Sequence, residues 1–194
     1  SAMLHAAAYS HSPAKKAPIS SQSIPEQFPQ WGSDEVGTGD YFGPVCVCAA
    51  CVNETDVAWL KDMGIQDSKA MKDEHILKIG PSLDERIPHS LLILDNATYN
   101  RIHSANNVVA IKCKLHNQAY VHLSKKIATS PKQIIVDQFV QEKSYYRYLE
   151  QEPNIIRGIH FETKAENKYV AVACASVIAR YAFLKVFATM SERY

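Results

Sequence analysis

Residues 32 to 44 read Gly-Ser-Asp-Glu-Val-Gly-Thr-Gly-Asp-Tyr-Phe-Gly-Pro. Two adjacent carboxylates, Asp34 and Glu35, stand immediately before a glycine-rich turn, and an apolar run, Val45 to Val52, follows it. That run predicts a buried strand. Neighbouring acids at the mouth of a hydrophobic sheet repel each other and lose hydration, so they persist where a cation compensates them. The stretch therefore reads as half of a metal site.

A chain of 194 residues can bury a core of ordinary size, and its 46% apolar content is that of a globular domain. The net charge of +1 points to neither a nucleic acid nor a membrane partner. Five cysteines, an odd number with Cys46, Cys48 and Cys51 inside the strand-like run, argue against a disulfide framework. They read as small buried hydrophobes in a reducing cytoplasm. No run reads as long enough to span a bilayer, and the N-terminus lacks the features of a signal peptide.

Residues 1 to 30, rich in Ser, Ala, Pro and Gln, read as a disordered linker, with Ser-Ala-Met at its start resembling a remnant of cloning. The domain then runs from 31 to 194. Strands are expected over Gly32–Glu35, Gly43–Val52, Ser90–Ala97, Gln133–Val136 and Ile155–Phe161. Helices are expected over Thr55–Met63, Ala70–Arg86, Asn107–Ala128, Glu142–Glu150 and Glu166–Met190. In the second of these Met71, Ile76, Leu77, Ile79 and Leu83 should face inward, with Asp67-Ser68-Lys69 capping its start. The last helix is apolar nearly all round from Val170 to Ile178 and should be buried. Alternating strands and helices give an α/β domain.

Asp137 should project from the tip of a buried strand and, if that strand lies beside the first, meet Asp34 across the sheet end. Glu166 would open a buried helix packed on the same sheet. Such a set of acids needs a cation, and oxygen-only ligands suit Mg²⁺ or Mn²⁺. Blander roles are open to each: Thr163 and Glu166 form a capping box, and Asp137 suits a turn. Gly37-Thr38-Gly39 can be a tight turn and also bring backbone close to a sugar or phosphate. Residues 101 to 132 carry Arg101, Lys112, Lys114, Lys125, Lys126 and Lys132 without one acid, which suits either a phosphate-facing surface or a solvated helix face. Lys143, Tyr145, Tyr146, Arg147 and Tyr148 suit base stacking or a half-buried helix. The eight histidines, His116 among them, are scattered and read as surface or satisfied core residues.

Together, Ser-Asp-Glu-Val-Gly-Thr-Gly-Asp-Tyr-Phe-Gly-Pro (33 to 44), Asp-Ser-Lys (67 to 69), His116-Asn117, Val-Asp-Gln-Phe (136 to 139) and Thr-Lys-Ala-Glu-Asn-Lys-Tyr-Val-Ala-Val-Ala-Cys-Ala-Ser-Val-Ile-Ala-Arg (163 to 180) resemble ribonuclease HIII, of the type 2 ribonucleases H. The resemblance implies a ribonuclease H-like fold, a mixed central sheet of about five strands flanked by helices. It implies a metal-dependent endonuclease that cuts the RNA strand of an RNA–DNA hybrid to 3′-hydroxyl and 5′-phosphate ends. Asp34, Glu35, Asp137 and Glu166 match that family's catalytic, metal-binding carboxylates. Gly37, Thr38 and Gly39 match the segment touching the ribose 2′-hydroxyl, Lys69 a phosphate contact and Asn107 a nucleic-acid contact, with Lys164 and Arg180 as further candidates. A Glu at position 166 looks like HIII, whereas HII enzymes carry Asp there.

Against that pattern the chain reads as a catalytic domain without the N-terminal substrate-binding domain and the C-terminal end. A monomer is the expected assembly. Three rival functions stay open: HII-like incision at single ribonucleotides in DNA, against which Thr38 and Glu166 speak, a non-catalytic hybrid-binding module, and an α/β interaction domain whose acids are caps and turns.

Overall fold

The computed structural model describes residues 22–37, 44–103 and 107–191. Five strands, β1 (Gln30–Val36), β2 (Val45–Val52), β3 (His89–Leu94), β4 (Gln133–Asp137) and β5 (Ile159–Glu162), form one sheet in the order β3-β2-β1-β4-β5. β2 runs antiparallel to both β1 and β3. β4 runs parallel to both β1 and β5. The expected mixed sheet is thus present, with β1 at its centre. Around it lie α1 (Val57–Asp62), α2 (Asp73–Arg86), α3 (Asn96–His103), α4 (Val108–Lys126), α5 (Glu142–Tyr148) and α6 (Val170–Ser191).

The unbroken apolar run of β2 follows from its burial on both faces. Alternation sends Cys46, Cys48, Ala50 and Val52 into one core with α2 and α6. Val45, Val47, Ala49 and Cys51 enter the other, with Trp31, Cys113 and Leu123. All five cysteines are free thiols and buried, as expected. Gly32 lets α6 lie directly on β1: a Cβ there would stand 2.3 Å from Val172 N. By length and composition alone Val170–Thr189 could cross a bilayer, which corrects the expectation that no such run exists. Its apolarity is explained by packing, since Val170 to Ala175 are all buried.

Several local expectations are corrected. Asp67, Ser68 and Lys69 do not cap α2; they lie in a 3-10 stretch, Ile65–Ala70, and Met71 then turns extended (ψ 130°) before α2 begins. Leu77 points outward and is 47% exposed. Glu166 does not open the last helix, because Ala165–Asn167 is a separate 3-10 turn ahead of α6. Lys164, at φ +54°, stands at the cap of that turn in place of Thr163. Residues 22–29, read from sequence as linker, lie along the domain. Ser23 Oγ donates to Glu162, Ile24 N to Tyr169 Oη, and Val170 N donates to Glu26. These polar contacts join residues far apart in sequence, so composition alone does not reveal them.

Candidate active site

β1 and β4 run side by side, with Ser33 paired to Val136 at the last step of their ladder. The next residues along are Asp34 and Asp137, so the two acids stand at the same level of the sheet. Paired residues of parallel strands face the same way, and Gly32, two residues before Asp34, abuts α6. Asp34 and Asp137 therefore project on the α6 face. There the Ala165–Asn167 turn delivers Glu166, and Ala165 N lies 3.4 Å from Asp137 Oδ1. Asp34, Asp137 and Glu166 thus stand near enough to feel one another's charge.

Alternation sends Glu35 to the opposite face, where α4 waits. Lys112 and His116, one helical turn apart, both reach it. Lys112 Nζ lies 2.7 Å from Oε1 and His116 Nε2 lies 2.5 Å from Oε2. His116 is fully buried, and its Nδ1 stands 2.7 Å from Ser33 Oγ. An ionised carboxylate only accepts, so Nε2 carries a hydrogen. The adjacent acids thus lie on opposite faces of the sheet and do not point into one pocket together.

The electrostatics differ accordingly. Burial, then the charges of Glu35, Asp137 and Glu166, push the Asp34 carboxyl well above its ordinary range, although Glu35 N donates to it at 2.8 Å. Burial and the neighbouring Glu166 raise Asp137 to about 6. Burial opposes ionisation of Glu35 too, yet His116 and Lys112 outweigh it and hold the group at about 2. Glu166 is also lowered: burial raises it, but Lys69, ion-paired to Oε1, prevails. Both Glu166 oxygens are buried and accept no well-formed hydrogen bond. Among the described residues, no three His, Cys, Asp or Glu side chains stand at metal-ligand spacing. Lys69 and Lys112 are the cations that compensate two of these carboxylates here.

Of the remaining expected residues, Gly37 has φ +90°, and a Cβ would come within 2.1 Å of Pro44 O. Glycine is therefore required at this position. Thr38 and Gly39 lie outside the described residues. Asn107 caps α4, accepting from Ala110 N at 2.7 Å, and its amide reaches Tyr148 Oη at 3.4 Å. Neither contact is with a carboxylate. Tyr145 is wholly buried, as a half-buried helix requires.

Residues 31–194 match the family model for ribonuclease HII. The chain belongs to the ribonuclease HII family. Ribonuclease HIII of Listeria monocytogenes is 44% identical over 187 residues, covering 93% of this chain and 61% of the relative. That of Enterococcus faecalis is 42% identical over 181 residues, covering 91% and 59%. A solved structure of Bst-RNase HIII in complex with Mn²⁺ matches with TM-score 0.81 at 45% identity, covering 84% of this chain and 54% of that one. The chain spans roughly half to three fifths of the length of the relatives it matches.

Within this ribonuclease HII-family fold, sequence reasoning missed the roles of Lys112 and His116. The sequence shows Lys112 as part of a basic stretch and His116 as a scattered histidine that belongs to the His116-Asn117 motif, with no partner indicated for either. Their spacing of four on a helix was the available signal, but nothing in the sequence says which strand end that helix faces.

Proposed function

We propose that this chain carries the centre of a metal-dependent endonuclease that cleaves the RNA strand of RNA–DNA hybrids, leaving 3′-hydroxyl and 5′-phosphate ends. The observation that carries the proposal is the convergence of Asp34 on β1, Asp137 at the end of β4 and Glu166 on the Ala165–Asn167 turn, all on the α6 face of the sheet. Glu35 would join the set on leaving Lys112 and His116, which hold it on the opposite face. The donors are all carboxylate oxygens, which suit Mg²⁺ or Mn²⁺, and the buried Glu166 carboxylate, which here takes the Lys69 ammonium at Oε1, is an acceptor a cation would satisfy. A Mn²⁺ complex of a relative supports the same choice. Divalent ions, when bound, supply Lewis acidity at the phosphate and a more acidic water.

The protein's own part is positioning and charge. Asp34, Asp137 and Glu166, with Glu35, would hold the cations. Lys69 is 65% exposed while touching Glu166, so its ammonium can turn to a phosphate oxygen. Gly37 makes room for the Pro44 carbonyl, and the backbone beside it would read a ribose 2′-hydroxyl. The buried thiols suit action in a reducing cytoplasm.

The test is Asp34→Asn, assayed on a labelled hybrid in Mg²⁺ and in Mn²⁺. Cleavage is expected to vanish while hybrid binding survives. Wild-type turnover by the variant would overturn the proposal. Because the matched family model is that of ribonuclease HII, incision at a single ribonucleotide is a second reading. A duplex with one ribonucleotide, compared with one carrying a run of four or so, separates the two.

A further inference from the structure

Arg180 lies on α6, fourteen positions after Glu166 in the chain (180 minus 166). Its guanidinium crosses to the 3-10 stretch Ile65–Ala70, where Nη1 donates to Ser68 O at 2.7 Å. Nη2 donates to Met71 O at 3.0 Å and reaches Asp73 Oδ1 at 3.3 Å. The two carbonyls flank Lys69 and Ala70. Ser68 is fully buried, whereas Lys69 extends outward to pair with Glu166. The segment from 165 to 180 therefore supplies both the acid and the arm that grips the turn carrying its lysine.

A long exposed lysine holds one geometry poorly by itself. Fixing the backbone on either side of it removes much of that freedom, and a planar guanidinium bridges two carbonyls in one fixed geometry. We infer that Arg180 is a positioning residue for phosphodiester cleavage, setting the turn that presents Lys69 beside Glu166. This rests on the proposed role of Glu166 in cleavage.

The deciding experiment is a double-mutant cycle on kcat/KM for hybrid cleavage, with Arg180→Lys, Lys69→Ala and both together. Arg180→Lys is expected to lower kcat/KM roughly tenfold in the wild-type background and less than about twofold when Lys69 is already Ala. Asp73→Ala, which leaves the carbonyl grip intact, should cleave normally. Equal losses in both backgrounds, or no loss at all, would overturn the inference, since Arg180 would then act on the fold generally or not at all. If Arg180→Lys does not fold, Arg180→Gln replaces it in the cycle. A readout independent of activity is the pair of Lys69 ε-methylene protons, which should be distinct by NMR in wild type and averaged in Arg180→Lys. If the wild-type chain fails to cleave a hybrid, the functional proposal falls. The NMR comparison then still decides the positioning: distinct protons in both proteins, or averaged protons in both, would overturn it.

Discussion

His116 holds Glu35 through Nε2 at 2.5 Å, while its Nδ1 faces Ser33 Oγ at 2.7 Å. The imidazole thus joins two alternate residues of β1, both on the α4 face. It fixes where the Glu35 carboxylate can be, and Lys112 takes the other oxygen.

Replacing His116 with Ala would leave a cavity and a carboxylate compensated by Lys112 alone. Because one charge partner persists, a loss of about 2 kcal/mol is expected, below that for stripping a buried ion of its only partner. Thermal melts would show it. Hybrid cleavage should fall further than the melt implies, and His116→Gln, which keeps one donor, should recover part of both. Unchanged cleavage in His116→Ala would mean that Glu35 needs no fixed position.

Acid stability should depend on Glu162. This residue is fully buried on β5 and lies 2.6 Å from Tyr169 Oη, 2.9 Å from His160 Nε2, 2.9 Å from Lys168 Nζ and 3.1 Å from Ser23 Oγ. Burial opposes its charge, but these partners outweigh burial and bring it from 4.5 to about 2. A folded-state pKa below the unfolded one means the unfolded chain binds the proton more readily. The stabilisation is therefore complete above pH 4.5 and lost as pH falls towards about 2. Denaturant titrations between those limits should show Glu162→Gln with a flatter pH dependence than wild type. A parallel slope in the two proteins would remove Glu162 from the account.

How much of this was legible in the sequence follows from the range of the interactions involved. β2 and α6 could be read because burial on all sides demands a continuous apolar run, which is a local property. Asp137 could be placed because it ends such a run. The grouping of Asp34 with Asp137, and the diversion of Glu35 to α4, depend on strand register and alternation, and register is set across the sheet. The boundary errors share a physical cause. Met71 and Lys164 adopt backbone conformations that interrupt helices, at ψ 130° and φ +54°. Neither residue type advertises this. Leu77 matched the apolar spacing of α2, but the spacing does not say how wide the covered stripe is.

Gly32→Ala should be among the most damaging small substitutions in the chain. The added methyl would stand 2.3 Å from Val172 N and 2.5 Å from Ala171 C, both backbone atoms of α6. A helix backbone cannot yield as a flexible side chain does. The helix must move off β1, at about 1–3 kcal/mol. That movement would also shift the attachment of the Glu166 turn, so cleavage should drop in the fraction that remains folded. Melting temperature and cleavage measured on the same preparations would test both parts.

Asn107 separates a structural role from a binding one. Its Oδ1 accepts from Ala110 N at 2.7 Å, which caps α4, and α4 carries Lys112 and His116. Removing that acceptor with Ala is expected to cost about 1 kcal/mol, whereas Ser retains a capping oxygen and should stay close to wild type. The amide donors are lost in both variants. If Asn107 also touches the nucleic acid, as the family resemblance implies, hybrid affinity should weaken equally in Asn107→Ser and Asn107→Ala. If the residue is a cap and nothing more, affinity should follow stability, and Asn107→Ser should bind as wild type does. The predicted outcome is the first: stability that splits the two variants and binding that does not. Hybrid titrations at one fixed salt concentration, read beside the melts, distinguish them, because salt alone alters backbone affinity strongly.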